Sequence, residues 1–191
     1  YSSRHLTYAF ENDSADLPAD DARDIVRAAF DEWARVSTLR FTEVLPGQSP
    51  TFRVAWRRGD HGDGDPFDGP GNVIAHAFFP PPCGGVHAGS LHFDEGERFT
   101  ESATSGIHLG AVALHEIGHL LGLRHSDDRE AIMFPTYSAD RLRLAQDDIN
   151  GVQALYGAPQ ERLRLAATAS GNLEDTVDEK IFSIELPAGV T

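Results

Sequence analysis

Cysteine is almost absent: Cys83 is the only one in 191 residues. That excludes an internal disulfide framework and a cysteine-rich metal site, so any metal must be held by His, Asp and Glu. No run of about 20 apolar residues occurs, so no segment reads as a membrane-spanning helix and no membrane partner is expected. Positive charge is scarce, with 16 Lys and Arg against 30 Asp and Glu and a formal net charge of -14. Nucleic acid, which needs a basic face, is a poor partner for such a chain. There is no initiator Met, charged n-region or apolar h-region, and the expectation is that any signal peptide has been removed or was never part of the chain. Internal repeats are lacking too. What is present is an ordinary hydrophobic fraction of 40%, which suits a globular protein, and nine histidines distributed unevenly. The length fits one domain plus a short extra piece.

Leu6 to Phe10 reads as a short strand. Asp20 and Asp21 open a helix, where negative charge suits the N-terminal dipole. Ala22, Ile25, Val26, Ala29, Phe30 and Trp33 then recur at spacings of three and four, which buries one face. Leu39, Phe41 and Val44 suggest a second strand, and Phe52, Val54 and Trp56 alternate as a third. Residues 59–72, G-D-H-G-D-G-D-P-F-D-G-P-G-N, are too rich in Gly, Asp and Pro for a regular element. They form either a metal-holding loop or a flexible acidic one. Ile74 to Phe79 and Leu91 to Phe93 read as two more strands. Leu109 to Leu121 is a helix apolar on most faces and hence central, and Ala145 to Tyr156 is a last helix with Gly157 as its stop. Past Gly157 the composition shifts to a linker. Phe182, Ile184 and Leu186 then alternate with Ser183 and Glu185 in a strand pattern. One strand cannot fold alone, so the chain is expected to end just inside a second, β-rich domain.

The central helix contains H-E-I-G-H-L-L-G-L-R-H, from His115 to His125. His115 and His119 lie four apart, so both imidazoles project from one helical face and can reach one zinc at about 2.0–2.1 Å. Gly122 permits the positive φ of a sharp turn, which returns His125 as third ligand. A catalytic zinc keeps its fourth position for water. Glu116 is adjacent to the first ligand and within reach of that water. It can act as general base and then donate to a leaving amine, the chemistry of metal-assisted peptide hydrolysis. The bland alternative, a pair of surface histidines on a helix, does not account for the added Gly and third His.

The extended motif resembles the metzincin signature, and Met133, eight residues past His125 in A-I-M-F-P-T-Y, fits that signature's methionine turn. Ser126 and Asp127 after the third histidine resemble the matrixins, the matrix metalloproteinase family. So do L-T-Y near the start, H-G-D with P-F-D-G-P-G, A-H-A-F, H-F-D with Glu97 three residues later, and Q-D-D-I-N-G-V-Q-A-L-Y-G. The resemblance covers about residues 4–157 and implies an α+β metzincin fold: a twisted, mostly parallel five-stranded sheet with three helices and zinc in the cleft at the central helix. It implies a matrixin-like catalytic domain over 1–157, with 158–191 as linker and first strand of a truncated domain. It implies a structural zinc on His61, Asp63, His76 and His92, and a calcium on Asp68, Asp94 and Glu97 with the carbonyls of Gly69, Gly71 and Val73. Two zinc ions and one calcium would leave a formal charge of about -8.

The stretch G-G-V-H-A-G-S-L-H-F-D departs from the family's G-G-D-x-H-F-D. Three residues are inserted and Ser90 replaces an Asp, so a further calcium there is not implied, and His87 competes with His92 as zinc ligand. His92 keeps the H-F-D context and is the preferred choice. His5 and His108 are expected to be unliganded. The family's propeptide switch P-R-C-G-x-P-D is absent, so the chain reads as already activated. Cys83 in P-P-P-C-G-G echoes that switch, and a free loop thiol is the expectation. Tyr1 is too close to Leu6 to carry an N-terminal ammonium to Asp147. The tail E-K-I-F-S-I-E-L-P-A-G-V-T is similar to the first strand of a bacterial prepeptidase C-terminal-type domain, which implies a secreted, extracellular bacterial protein.

In the family, substrate lies extended along an edge strand, and an apolar side chain enters a pocket walled by Pro135 to Tyr137. Ala111, where some relatives carry a bulky residue, implies a deep pocket for Leu, Met or an aromatic side chain. The expected partner is a protein or peptide substrate and the expected state a monomer. The reading is a zinc-dependent metalloendopeptidase. The competing one is an inactive or latent metalloprotein binding scaffold, against which the intact Glu116 and three intact histidines argue.

Overall fold

The structure is a computed structural model, and it describes residues 1–102 and 104–159. The expected strand around Phe182 to Leu186 lies outside the described residues. The chain runs β1 (His5–Phe10), α1 (Ala19–Arg35), β2 (Arg40–Glu43), β3 (Phe52–Arg57), β4 (Ala75–Ala77), a 3₁₀ turn (Gly85–His87), β5 (Ser90–Asp94), β6 (Phe99–Thr100), β7 (Ile107–His108), α2 (Leu109–Leu120) and α3 (Gln146–Tyr156). The five-stranded sheet has the order β2-β1-β3-β5-β4. All neighbours are parallel except β4, which pairs antiparallel to β5 at the edge. The fold is the α+β arrangement that the resemblance implies, with three helices and a mostly parallel mixed sheet.

Central strands β3 and β5 are buried nearly throughout, which explains their apolar runs. On α1 the period-3.6 residues Ala22, Val26, Ala29, Phe30 and Trp33 are all buried. Trp33 Nε1 donates to the Leu114 carbonyl at 3.0 Å, so α1 is joined to α2 by a polar bond inside the core. Asn12 substitutes for a strand residue: its amide donates to the Trp56 carbonyl and accepts the Trp56 N–H, at 2.8 and 2.9 Å.

Several elements differ in extent from the sequence expectation. The strand expected over Ile74 to Phe79 is only Ala75–Ala77, because three consecutive prolines, Pro80 to Pro82, lack N–H donors and stop the ladder. α2 ends at Leu120, one residue short of the expected Leu121, and α3 starts at Gln146 with Ala145 as its N-cap. The short β6–β7 ladder had no sequence signal, since two-residue strands carry no periodicity.

α2 is packed too closely to tolerate a side chain at Gly118. A Cβ there would lie 2.2 Å from Met133 Sδ and 3.1 Å from Trp33 Cζ2. Gly118→Val is expected to destabilise the fold by about 1–3 kcal/mol, read from the urea midpoint. An unchanged midpoint would mean that the contact is slack.

Candidate active site

α2 presents His115 and His119 one turn apart, and the chain then reverses through a Schellman turn. Leu123 N–H donates to the Gly118 carbonyl at 3.0 Å and Gly122 N–H to His119 at 2.9 Å. Gly122 sits at φ 99°, a conformation that strains any other residue. This turn brings His125 back, so that one nitrogen from each of His115, His119 and His125 lies within 4.8 Å of the others.

Backbone carbonyls fix the tautomers. His115 Nδ1 donates to the Ile132 carbonyl and His119 Nδ1 to the Leu123 carbonyl, both at 2.8 Å. Each Nε2 is therefore left with a lone pair facing its neighbours. His119 Nε2 lies 3.2 Å from His125 Nε2. Two ligands on a tetrahedral zinc with bonds of about 2.0–2.1 Å are separated by about 3.3 Å, so the donor set fits such an ion. Burial lowers His115 to about 4 and also lowers His119, keeping both neutral and ready to ligate.

Glu116 is 6% exposed, and its Oε2 is buried with no hydrogen-bond partner. Burial pushes the carboxyl up to about 8. An orphaned carboxylate oxygen in a core is costly, and here it borders a cleft of about 790 Å³ that the three histidines also line. Ala111, Pro135 and Tyr137 line the same cleft. Cys83 is exposed and is not among its lining residues.

The second histidine cluster forms where the Gly/Asp loop meets β4 and β5. Asp63 Oδ2 lies 2.7 Å from His61 Nε2, 2.9 Å from His76 Nε2 and 2.8 Å from His92 Nδ1. His61 Nδ1 donates to the Gly59 carbonyl at 2.8 Å, so its Nε2 lone pair faces a carboxylate oxygen. That arrangement is repulsive unless a cation sits among the donors, and the two-His, carboxylate and third-His set suits zinc. Burial lowers His92 to about 4 and lowers His76. Burial works against the Asp63 carboxylate, but the Asp65 N–H and the two histidines outweigh it and hold Asp63 below the usual range. His92 belongs to this cluster, whereas His87 packs against Phe78 with ring centroids 5.2 Å apart.

The two histidine clusters are the metal-like groups among the described residues; Asp68, Asp94 and Glu97 do not converge as tightly. Even so, Asp94 and Glu97 are both buried, and Asp94 Oδ2 has no partner. Gly71 N–H donates to Glu97 Oε1 at 2.5 Å, and Asp68 accepts from Asn72 at 2.9 Å. At Ser90, where the family has an acid, the hydroxyl accepts from Arg53 at 2.9 Å.

Three features were not read from the sequence. Asp148 is 2% exposed and accepts backbone N–H bonds from Ala145, Ile132 and Met133 at 2.8, 2.8 and 3.0 Å. It holds the methionine turn, whose Ile132 carbonyl orients His115. Neighbouring Asp147 takes the Ser126 hydroxyl at 2.5 Å, while the Tyr1 ring lies edge-on to Phe52 at 5.4 Å. By residue type and position alone, two acids at a helix start indicate a favourable dipole and do not reveal these partners. His108 proves to be the α2 N-cap, accepting from Ala111 N–H at 3.4 Å, and its own N–H donates to Tyr137 Oη at 2.9 Å.

A sequence profile of the matrixin family matches residues 1–157. The chain is 44% identical to karilysin of Tannerella forsythia over 154 residues, which is 81% of this chain and 32% of karilysin. It is 46% identical to the interstitial collagenase of Equus caballus over 165 residues, 86% of this chain and 34% of that protein. Stromelysin-1 of Mus musculus is 41% identical over 176 residues, 89% and 36% of the two chains. The chain thus spans about a third of the length of these curated relatives. With a match of that breadth, the chain belongs to the matrixins, a family of zinc metalloendopeptidases.

Proposed function

We propose that residues 1–157 form the catalytic domain of a secreted, monomeric, zinc-dependent endopeptidase that cleaves extended protein or peptide chains, with residues 158–191 as linker and start of a β-rich domain. His115, His119 and His125 hold the catalytic zinc; His61, Asp63, His76 and His92 hold a structural one. Asp68, Asp94 and Glu97, with the carbonyls of Gly69, Gly71 and Val73, hold calcium, for which the unpartnered Asp94 oxygen is the support. Among the described residues no helix is long and apolar enough to cross a membrane.

The observation that carries the reading is Glu116: a buried carboxylate oxygen without a partner, at the edge of a cleft where three imidazole nitrogens converge. Zinc bound by those histidines supplies Lewis acidity towards the scissile carbonyl and acidifies the attacking water. Glu116 takes the proton from that water as it attacks, and burial makes the carboxylate a stronger base for the purpose. It then delivers the same proton to the departing amine. The Ile132 and Leu123 carbonyls keep His115 and His119 in one tautomer and one orientation throughout. Edge strand β4 borders the cleft through Ala75, His76 and Ala77 and offers its free side to an extended substrate. Small Ala111 leaves depth for a large apolar side chain after the scissile bond, beside Pro135 and Tyr137.

The test is a quenched fluorescent peptide carrying Leu after the scissile bond, given to the zinc-loaded chain. Cleavage that a chelator abolishes and added zinc restores is the expected result. No cleavage across a diverse peptide library, with zinc content verified, would favour the binding-scaffold reading.

A further inference from the structure

We infer that Arg124 is a specificity-determining residue, one that selects peptides with an acidic side chain shortly before the scissile bond. The inference rests on the peptidase reading above and adds a substrate charge to it, which the apolar pocket at Ala111 does not set.

The charge of the cleft is opposite to that of the chain. The sequence has 30 Asp and Glu against 16 Lys and Arg, a formal net charge of -14. The cleft, however, is lined by two arginines, Arg124 and Arg141, and among the described residues Glu116 is the only carboxylate in its lining. Glu116 is buried and belongs to the chemistry, so no exposed acid in that lining faces an incoming chain. A groove lined by one sign of charge concentrates the field within it. The acids elsewhere on the surface act through solvent, where salt screens them beyond about 8–10 Å.

The two arginines are not equivalent. Arg141 is committed to the protein: Nη1 donates to the Arg129 carbonyl at 3.2 Å, Nη2 to the Thr136 carbonyl, and the guanidinium lies over the Phe134 ring, 5.1 Å from its centroid. Arg124 is exposed, and among the described residues no carboxylate forms an ion pair with it. Its stem nevertheless starts from fixed backbone. It follows Leu123, whose N–H donates to the Gly118 carbonyl at 3.0 Å and whose carbonyl accepts from His119 at 2.8 Å. A fixed origin and an unpaired fork suit capture of a carboxylate by two N–H groups.

The course of α2 places Arg124 relative to the scissile bond. Ala111, at the base of the pocket for the residue after that bond, lies in the first turn, and His115 and His119 come next. From Ala111 to His119 the helix rises about 12 Å, and Arg124 follows its end. The histidines of the zinc site therefore lie between the pocket and Arg124. Strand β4 runs the same way. Phe79, two residues past its end, packs against His119 with ring centroids 5.4 Å apart, and Pro80 Cγ would lie 3.5 Å from a Cβ at Gly122. A peptide extended along β4 with one side chain in the pocket thus brings the residues before its scissile bond to the Arg124 end.

Peptides with leucine after the scissile bond, and glutamate, glutamine or lysine at each of the three preceding positions in turn, test this on the zinc-loaded protein. At one of those positions or more, the wild-type kcat/KM is expected to favour glutamate over glutamine by about threefold and over lysine by about tenfold. Added salt should shrink both ratios. In Arg124→Gln the glutamate preference is expected to fall to about one, and in Arg124→Glu to invert in favour of lysine. A structural role alone would lower all rates together and leave the ratios unmoved. Should Arg124→Glu fail to fold or to hold zinc, judged by circular dichroism and metal content, the ratios of Arg124→Gln decide. Cleavage with no glutamate preference at any position, or with one that survives in Arg124→Gln, overturns the role of Arg124 only. No cleavage of any peptide by the wild type overturns the peptidase reading and this inference with it.

Discussion

Glu116→Gln is expected to lower kcat/KM by about 10²–10⁴ while zinc content stays at the wild-type level. The amide keeps the size of the side chain but cannot take a proton from the attacking water. His115 and His119 keep their carbonyl partners and therefore their positions. Burial alone pushes the carboxyl to about 8, and the charge of a neighbouring cation pulls it back down. The base works only when deprotonated, so wild-type activity should rise with pH along an acid limb centred below about 8. The residual activity of Glu116→Gln should lack that limb. Near-normal rates in a zinc-replete Glu116→Gln variant would remove Glu116 from the role of general base.

His92→Ala is expected to reduce zinc from about two ions per chain to about one, leaving the catalytic ion in place. It should also lower the melting temperature and make the 59–72 loop sensitive to proteolysis. Without His92 the Asp63 carboxylate keeps only two histidine partners, and the proposed zinc would lose its ligand from β5. The wild type has an acid counterpart to this loss. Burial lowers the folded-state values of His92 and His115 from 6.5 to about 4. Between those limits the unfolded chain binds the protons that the folded chain refuses, so stability rises with pH across the window. The contribution is complete above about 6.5 and is lost as the pH falls towards 4. Protons compete for the same nitrogens as zinc, so metal release should follow the same direction. Retention of about two ions in His92→Ala would sink the structural-site assignment, and His87 would then be the residue to replace next.

The three-histidine cluster was legible because it is local. His115, Glu116 and His119 lie within one turn of a helix, and Gly122 and His125 follow at a spacing only a sharp reversal can use, which the Schellman turn at Gly122 supplies. The period of the apolar residues similarly determined α1 and the alternating strand β3. Residues linked by long-range contacts gave weaker signals. The choice between His87 and His92 could rest only on the H-F-D context, because neither spacing nor composition says which imidazole a loop 30 residues earlier will meet.

Tertiary structure decided the rest. Asp148 looks like any acid in a first helical turn until the methionine turn is folded against it and three N–H groups find one carboxylate. Arg141 looks like a solvated charge until the chain on both sides of Met133 brings its carbonyls around the guanidinium. A residue's own type and near neighbours establish what chemistry it can do, so the sequence by itself determined the family, the three helices and the zinc-binding motif on α2. Burial and partnership depend on segments far apart in the chain. Only folding could leave a buried Glu116 oxygen without a partner beside the cleft that the three histidines line.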